Sequence, residues 1–258
     1  MSVIFYFSGT GNSLDAARQA AAVLPQCRLE QMAAYLAHPY EVRDDIVGVV
    51  CPVYCFGLPP LVQNFLRALR AKPQYCFGLV TMGGNSGRAL KNLQELLAQK
   101  NIELAYANSV AMPDNFFMAR RAQYNEMLIA ADKALTDIVT DIHKRRRDTA
   151  KCRENYVGKY LTTPVGWWFM RSVLHVGQPR LRPNRCVGCG LCARLCPVGN
   201  IKMEKQRPVF ADKCAYCFAC RHWCPKHAIQ MGGLKAKADI SYTNPNIKAE
   251  DLLRQEEK

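Results

Sequence analysis

No run of 18 or more apolar residues occurs in this chain of 258 residues, so the sequence predicts no transmembrane helix. The N-terminal stretch MSVIFYF has neither a basic segment nor a cleavage site, so we expect no secretory signal peptide. Structural disulfides are then not expected either, because they persist mainly in oxidising compartments. Because the 13 cysteines are then expected not to form disulfides, we expect the protein to reside in a reducing cytoplasm, that of an anaerobe.

The sequence also lacks the usual signatures of nucleotide-dependent enzymes. Its N-terminal glycine-rich loop, residues 8–13, has no glycine-lysine-serine/threonine ending, which argues against a Walker loop and a Mg-nucleotide. Leu14 stands where the third glycine of G-x-G-x-x-G would stand, which argues against a dinucleotide. No second domain with that motif follows, so the chain is not expected to oxidise NAD(P)H itself.

Cysteine, by contrast, is abundant and patterned near the C-terminus. Residues 186–197 and 214–225 both read C-x2-C-x2-C-x3-C-P. Zinc usually draws its ligands from two separated pairs of residues and does not need this repeated set of four thiols. Disulfides are the other alternative, and the missing signal peptide argues against them. The pattern is the one that holds 4Fe–4S clusters in two-cluster ferredoxins.

Residues 181–235 thus resemble the bacterial dicluster ferredoxin family. In that family the fourth cysteine of each motif ligates the cluster held by the other motif. The resemblance implies a first cluster, which we call cluster I, on Cys186, Cys189, Cys192 and Cys224. It implies a second, cluster II, on Cys214, Cys217, Cys220 and Cys196.

The N-terminal half alternates strands and helices. Predicted strands cover residues 3–7, 27–31, 46–51, 75–82 and 103–112, and predicted helices cover 14–24, 61–70, 88–99 and 119–147. This alternation predicts a parallel sheet with helices on both faces and a ligand at the carboxyl ends of the strands. Loop 8–13 joins a strand to a helix, so its N–H groups would face an anion. Because the loop contains no Lys or Arg, the phosphate monoester of FMN suits it.

Three loops at strand ends resemble those of the flavodoxin family, namely residues 8–13, 52–59 and 81–85. The resemblance implies that FMN binds through its phosphate to Ser8, Thr10, Gly11, Asn12 and Ser13. It implies that the ring lies between Pro52, Val53, Tyr54, Phe56 and Gly57 on one side and Met82, Gly83, Gly84 and Asn85 on the other. Tyr54 or Phe56 would stack on the flavin, and the alternative is that one of them only packs within the loop. Gly57 would allow the peptide flip that is linked to protonation of flavin N5 in flavodoxins.

As a whole, residues 1–235 resemble the flavodoxin–ferredoxin fusion proteins of anaerobic bacteria and archaea. The implied fold class is α/β, a flavodoxin-like five-stranded parallel sheet of order 2-1-3-4-5 with a small α+β dicluster ferredoxin-like domain. We expect the flavodoxin-like domain at 1–150, an aromatic-rich linker at 151–180, the ferredoxin domain at 181–235 and a tail at 236–258.

Four features keep two or more interpretations. The linker either packs between the domains or makes a peripheral membrane contact. The tail is disordered, or its residues 242–247 strap back as a closing segment of the fusion family does. Residues 112–117 line the pyrimidine end of the flavin or the interdomain seam, or only pack as a loop. Cys51 and Cys55 are core residues or redox thiols.

The formal net charge of +14 is uneven, with +3 in residues 1–150 and +11 in residues 151–258. An oxidised 4Fe–4S cluster with four thiolates carries a charge of about −2, so two clusters would lower the net charge of residues 151–258 from +11 to about +7. This favours an acidic redox partner protein over nucleic acid, although lysines that only aid solubility give the same count.

The predicted function is transfer of low-potential electrons between two 4Fe–4S clusters and FMN and on to a partner redox protein. One alternative is an FMN-dependent reductase of a small substrate, a corrinoid or a quinone, with Tyr54 or Asp114 as the proton donor. Another is a subunit of a larger redox complex that docks through the basic face.

Overall fold

The computed structural model describes residues 1–116, 121–152, 178–231 and 240–253, together with residues 168 and 172. Most of the predicted linker at 151–180 lies outside these residues. Its two interpretations, packing between the domains and contact with a membrane, therefore stay predictions. Within the described part of the chain, no helix is long and apolar enough to cross a membrane.

The N-terminal half is built on a five-stranded parallel sheet. Its strands are β1 (Ser2–Tyr6), β2 (Cys27–Gln31), β4 (Ile46–Pro52), β6 (Tyr75–Met82) and β7 (Tyr106–Ala111), in the order β2-β1-β4-β6-β7. The short strands β3 (Glu41–Val42) and β5 (Arg70–Ala71) pair separately with each other. Without them the order is the predicted 2-1-3-4-5. The central strands are continuous apolar runs because helices cover both of their faces.

Five helices of this half are α1 (Asn12–Ala22), α2 (Met32–Ala37), α3 (Pro60–Ala68), α4 (Ala89–Ala98) and α5 (Tyr124–His143). Helix α1 buries Leu14 and the small side chains of Ala16, Ala17 and Ala20, which lets it lie close to the sheet. Its N-terminus therefore meets the carboxyl ends of β1 and β4, where a doubly wound sheet binds its ligand.

The C-terminal part consists of two similar halves. Strand β8 (Pro179–Leu181) pairs with β11 (Ile229–Met231), and β9 (Ile201–Glu204) pairs with β10 (Arg207–Phe210). Each cysteine motif continues into one helical turn, α6 (Leu191–Arg194) or α7 (Ala219–His222). This is the small strand-rich domain that the cysteine motifs predicted.

Residues 240–253 pack back onto the N-terminal half. Tyr242, Asn244, Ile247 and Leu252 are buried, and Ile247 and Leu252 join the main hydrophobic core. The side chain of Arg18 pairs with Asp251 at 2.7 Å. Of the two interpretations of this segment, the structure therefore favours the strap.

Candidate functional site

The eight cysteines of the two motifs line two separate cavities. Cavity I is lined by Cys186, Cys189, Cys192 and Cys224, and cavity II by Cys196, Cys214, Cys217 and Cys220. The empty space is about 380 Å³ in the first and about 350 Å³ in the second, including their open mouths. The chain thus brings the cysteines together in the crossed sets that the ferredoxin resemblance implied.

The sulfur atoms are also supplied with hydrogen-bond donors. The backbone N–H of Asn200 donates to Cys196 Sγ at 3.2 Å, and the N–H of Ala228 donates to Cys224 Sγ at 3.2 Å. Donors of this kind favour a thiolate, the form that ligates iron. The donor set therefore fits 4Fe–4S clusters.

Burial opposes ionisation of the same thiols when no metal is bound. Desolvation raises the pKa of Cys192 to about 11 and that of Cys217 to about 12. The pKa of Cys220 is raised well above the usual value, by burial first and then by the neighbouring cysteines. Iron supplies the positive charge that lets such buried thiols remain deprotonated.

The two cavities differ in how much solvent reaches them. Cys189 is exposed at cavity I, and the side chain of Val187 beside it is 60% exposed. At cavity II, Cys217 and Cys220 are buried. Cavity I thus has the outer position and cavity II the inner one.

The predicted phosphate loop lies at the N-terminus of α1. Gly11 is in the left-handed region with φ of 105°, and its N–H donates to Ser8 Oγ at 3.1 Å. The N–H groups of the next three residues, 12–14, find no acceptor among the described residues. Helix first-turn donors without a partner are what an anion needs. Thr10 is buried, and its carbonyl accepts from Asn244 N at 2.8 Å.

The side chains of Asn12 and Ser13 are committed to protein contacts. Asn12 Nδ2 donates to the Pro113 carbonyl at 3.0 Å, and its Oδ1 accepts from the Tyr242 hydroxyl at 2.6 Å. The Ser13 hydroxyl bonds that of Thr81 at 2.8 Å. A contribution of Asn12 to phosphate binding would therefore come from its backbone N–H.

The first predicted ring loop follows β4. Val53 N donates to the Thr81 carbonyl, and Tyr54 and Gly57 exchange two backbone hydrogen bonds of 2.9 Å. They close a tight turn in which Phe56 has φ of 58°. Pro52 ends β4 opposite Thr81, and Gly57 is buried within the turn.

Tyr54 is the residue of this loop that carries the most information. Its ring meets Phe7 edge-on with centroids 6.1 Å apart. Its hydroxyl is buried and has no partner of hydrogen-bond geometry among the described residues. Burial, and then the nearby Cys217, raises the pKa of Tyr54 well above its usual value, although the side chain of Asn115 lies close enough to the hydroxyl to lower it in part. A buried polar atom of this kind calls for a ligand, and a flavin heteroatom suits it.

The second predicted ring loop follows β6 and is open. Met82 is half-buried at the end of the strand, whereas Gly83, Gly84 and Asn85 are exposed. A Cβ at Gly83 would lie 2.7 Å from that of Asp114, and one at Gly84 would meet nothing within 4 Å. Together with the free donors of α1 and the Tyr54 hydroxyl, this arrangement fits FMN.

The two halves of the chain meet beside the phosphate loop. Gly9 lies against the backbone carbonyl of Cys217, where a Cβ would overlap the oxygen atom. Trp223 Nε1 donates to the Gly9 carbonyl at 3.0 Å. The neighbouring His222 makes a second contact between the halves, because its Nε2 atom lies 2.8 Å from the Asn115 carbonyl oxygen. Of the three interpretations of residues 112–117, the contact at Asn115 favours the interdomain seam, and residue 117 lies outside the described part.

Several of these contact residues were not singled out from the sequence. No role was assigned from the sequence to Thr81, His222, Trp223 or Asn244, and their partners lie far away along the chain. The signals available were that Thr81 opens the loop 81–85, that His222 and Trp223 stand inside the second cysteine motif, and that Asn244 belongs to the strap.

The two cysteines beside the first ring loop behave as core residues. Cys51 is fully buried, which raises the pKa of its thiol to about 12. Burial raises the pKa of the half-buried Cys55 to about 11. Thiols with such pKa values are almost wholly protonated near neutral pH, which disfavours the redox interpretation.

Comparison with known proteins supports the C-terminal assignment. Residues 179–202 match the family model of the 4Fe-4S binding domain. An uncharacterized ferredoxin of Methanocaldococcus jannaschii is 39% identical over 59 residues, which is 21% of this chain. The pyruvate synthase subunit PorD of Methanothermobacter marburgensis is 35% identical over 54 residues, also 21% of this chain. The matches span 33% of the first relative's length and 64% of the second's.

Solved structures resemble the N-terminal half. A flavodoxin of Megasphaera elsdenii covers 51% of this chain and 97% of its own, at 17% identity and a TM-score of 0.34. An FMN-dependent NADH-azoreductase of Bacillus anthracis covers 55% and 99%, at 9% identity and a TM-score of 0.38. Because both scores are low, the fold assignment depends on the strand order. This chain therefore joins a flavodoxin-like parallel sheet to a C-terminal 4Fe–4S binding domain.

Proposed function

We propose that this protein transfers electrons between an external partner protein, two 4Fe–4S clusters and one FMN. The observation that carries the proposal is the seam at which Gly9 of the phosphate loop touches Cys217 of cavity II. FMN, when bound, exchanges electrons singly or in pairs and each cluster exchanges one, so the set couples one-electron to two-electron partners. The cofactors would reside in residues 1–150 and 181–235, as the sequence predicts.

In this proposal the chain orders its cofactors from the surface inward. The exposed rim at Val187 and Cys189 gives a partner protein access to cluster I. Cavity II lies deeper, and its Cys217 is in van der Waals reach of the phosphate loop and close enough to Tyr54 to affect its pKa. Electrons that enter at the rim would thus reach the flavin through cluster II.

FMN binding in this proposal uses the free donors of α1 for the phosphate and the loops after β4 and β6 for the ring. The committed side chain of Asn12 fixes the loop against Pro113 and Tyr242 and leaves the helix N–H groups to the anion. The strap covers the phosphate loop, because Asn244 N donates to the Thr10 carbonyl and the Asn244 side chain to Asn12.

The surface around cavity I supports an acidic partner. Lys226 is exposed and lines the cavity, and Arg194 and Lys202 are exposed on α6 and β9, the elements that contribute Cys192 and Met203 to its lining. A basic rim steers an acidic protein toward the exposed cluster, and the attraction weakens as salt screens it. One relative of the C-terminal part is named a subunit of pyruvate synthase, which supports work alongside other protein subunits.

The route is tested by flavin reduction in rapid-mixing experiments under anaerobic conditions. A reduced ferredoxin serves as the donor to wild-type protein and to Cys189→Ser, after both are shown to hold equal FMN. We expect flavin reduction to slow at least about tenfold in the variant, because cluster I has lost a ligand, while direct reduction by dithionite stays the same. Equal rates with ferredoxin would overturn the route.

A further inference from the structure

The two cysteine motifs share one spacing, and two of the positions at which they differ change the charge or the hydrogen bonding beside the cysteines. The residue after the third cysteine is Ala193 in the first motif and Arg221 in the second. The residue four positions after the last cysteine is Asn200 in the first motif and Ala228 in the second. Because the last cysteines are exchanged between cavities, Asn200 lines cavity II and Ala228 lines cavity I. Cavity II therefore has an amide in its lining where cavity I has an alanine, and the buried Arg221 follows its Cys220 where Ala193 follows Cys192 of cavity I. The cation that lines cavity I, Lys226, is exposed, so solvent screens its charge.

The backbone at these positions is matched, so the side chains make the difference. The N–H of residue 200 and the N–H of residue 228 both donate to the cysteine four residues earlier, each at 3.2 Å. Asn200 Oδ1 accepts from Lys213 N at 2.8 Å, which fixes the orientation of the amide. Asn200 is only 2% exposed, and its Nδ2 atom is buried without an acceptor among the described residues. The sulfur atoms of cluster II are the acceptors that cavity II offers.

Arg221 is a cation with little compensation in the chain. It is only 4% exposed and forms no ion pair with any described residue. Its guanidinium donates to the Ile240 carbonyl at 3.3 Å and lies 3.3 Å from His222 Nε2. Desolvation lowers the pKa of Arg221, and the neighbouring Cys220 raises it. A buried cation needs a counter-charge, and the anionic cluster ligated by Cys220 supplies one.

We propose that Asn200 and Arg221 raise the reduction potential of cluster II above that of cluster I. Reduction adds one negative charge to a cluster, and both a donor to sulfur and a nearby cation stabilise the reduced form. Deep burial by itself would lower the reduction potential of cluster II, because it disfavours the added negative charge. At cavity II the buried cation of Arg221 opposes this effect. This inference depends on the proposed pair of clusters.

The consequence is a direction for electron flow. A one-electron donor of the ferredoxin class reduces cluster I, one electron then leaves cluster I and enters cluster II, and no proton moves. Cluster I is reoxidised as cluster II is reduced, so the step balances. With the higher potential on the inner side, transfer toward the flavin is favourable and back-transfer to the partner is not.

The test is an EPR-monitored redox titration of the full-length protein with dithionite, with iron assayed on each sample. Wild type should show two potentials, and Cys189→Ser should shift the lower one, which identifies it as cluster I. Asn200→Ala, which installs the residue of the other motif, should lower only the higher potential. Arg221→Gln should lower the higher potential by at least about 59 mV, which corresponds to a tenfold change in the equilibrium constant for one-electron reduction.

Two control variants separate charge from packing. Arg221→Lys keeps the cation and should keep the higher potential. Arg194→Gln removes an exposed charge near cluster I and should change neither potential appreciably, because solvent screens it.

The outcomes are decisive in both directions. Equal wild-type potentials, a Cys189→Ser shift on the higher one, or unchanged potentials in Asn200→Ala and Arg221→Gln would overturn the inference while the protein still holds about eight iron atoms. Only four iron atoms in wild type would instead overturn the two-cluster proposal. If Arg221→Gln fails to assemble, Asn200→Ala alone decides the question.

Discussion

Trp223 Nε1 donates a hydrogen bond to the carbonyl of Gly9 at 3.0 Å. The bond joins the second cysteine motif to the first turn of the flavodoxin-like half, across 214 residues of sequence. It places a ligand segment of the iron–sulfur part directly over the loop that is proposed to hold the FMN phosphate. The seam is therefore part of the functional site as well as a packing contact, and its residues are the first targets for mutation.

Substituting Gly9 should disturb this seam. In Gly9→Ala the new Cβ overlaps the carbonyl oxygen of Cys217, so one of the two backbones must move. We expect a loss of about 1–3 kcal/mol in the free energy of unfolding, as for other overpacked sites. The measurement is denaturant unfolding of protein reconstituted with iron and sulfide but without FMN, so that the loss of a flavin contact does not affect the comparison.

The matched control is Gly84→Ala, because a Cβ at Gly84 meets nothing within 4 Å. That variant should unfold like wild type. A Gly9→Ala protein as stable as Gly84→Ala would show that the two halves do not meet as described.

Removing the strap amide should weaken the phosphate loop. Asn244 is fully buried, and its Nδ2 donates to Asn12 Oδ1 at 3.2 Å and to Asp15 Oδ2 at 3.3 Å. Asn244→Ala leaves the buried carboxylate of Asp15 short of a donor, which costs about 1–3 kcal/mol. We expect a lower Tm and weaker FMN binding, measured by calorimetry and by flavin fluorescence. The side chain of the exposed Asn246 makes a single long hydrogen bond, from Nδ2 to Asp15 Oδ1 at 3.4 Å. Asn246→Ala should therefore have a much smaller effect.

Tyr54→Phe should leave the stability of the FMN-free protein unchanged but weaken FMN binding. The buried Tyr54 hydroxyl has no partner of hydrogen-bond geometry among the described residues, so its removal should not destabilise the FMN-free protein. If the hydroxyl bonds the flavin, FMN binding should weaken by about 1 kcal/mol. Thermal unfolding without FMN and the Kd for FMN are the two readings. An unchanged Kd would remove Tyr54 from the set of flavin contacts.

The cysteines of the first ring loop should be dispensable for redox function. Burial raises the pKa of Cys55 to about 11, so its thiol stays protonated over the neutral range. We expect Cys55→Ala to leave both flavin potentials unchanged in a spectroscopic titration and to leave FMN content unchanged. A shifted flavin potential with normal FMN content would restore the redox-thiol interpretation.

Much of the fold follows from local patterns in the sequence. The predicted strand 75–82 agrees with β6, because a buried apolar run is a local signal. The predicted strand 27–31 agrees with β2, although this edge strand is only partly buried and partly polar and gives a weaker signal. Helix α2 was not predicted, since six residues directly after a strand show too little periodicity. The predicted helix 119–147 is too long: a 3-10 turn at Arg121–Gln123 precedes α5, and α5 ends at His143.

The candidate site divides in the same way. The cysteine sets could be predicted because the spacing of each motif is itself the signal. The commitment of Asn12 could not, since its partners Pro113 and Tyr242 lie 101 and 230 residues away. The contrast between the two cavities also depends on the crossed arrangement, which places Asn200 in the lining of cavity II although the motif before it contributes three of its four cysteines to cavity I.

The central claim is that one chain holds two 4Fe–4S clusters and one FMN, and cofactor content tests it most directly. Protein reconstituted anaerobically with iron, sulfide and FMN, then freed of excess reagents, should contain about eight iron atoms, about eight sulfides and one FMN per chain. Four iron atoms or fewer, or no FMN, after full reconstitution would contradict the account.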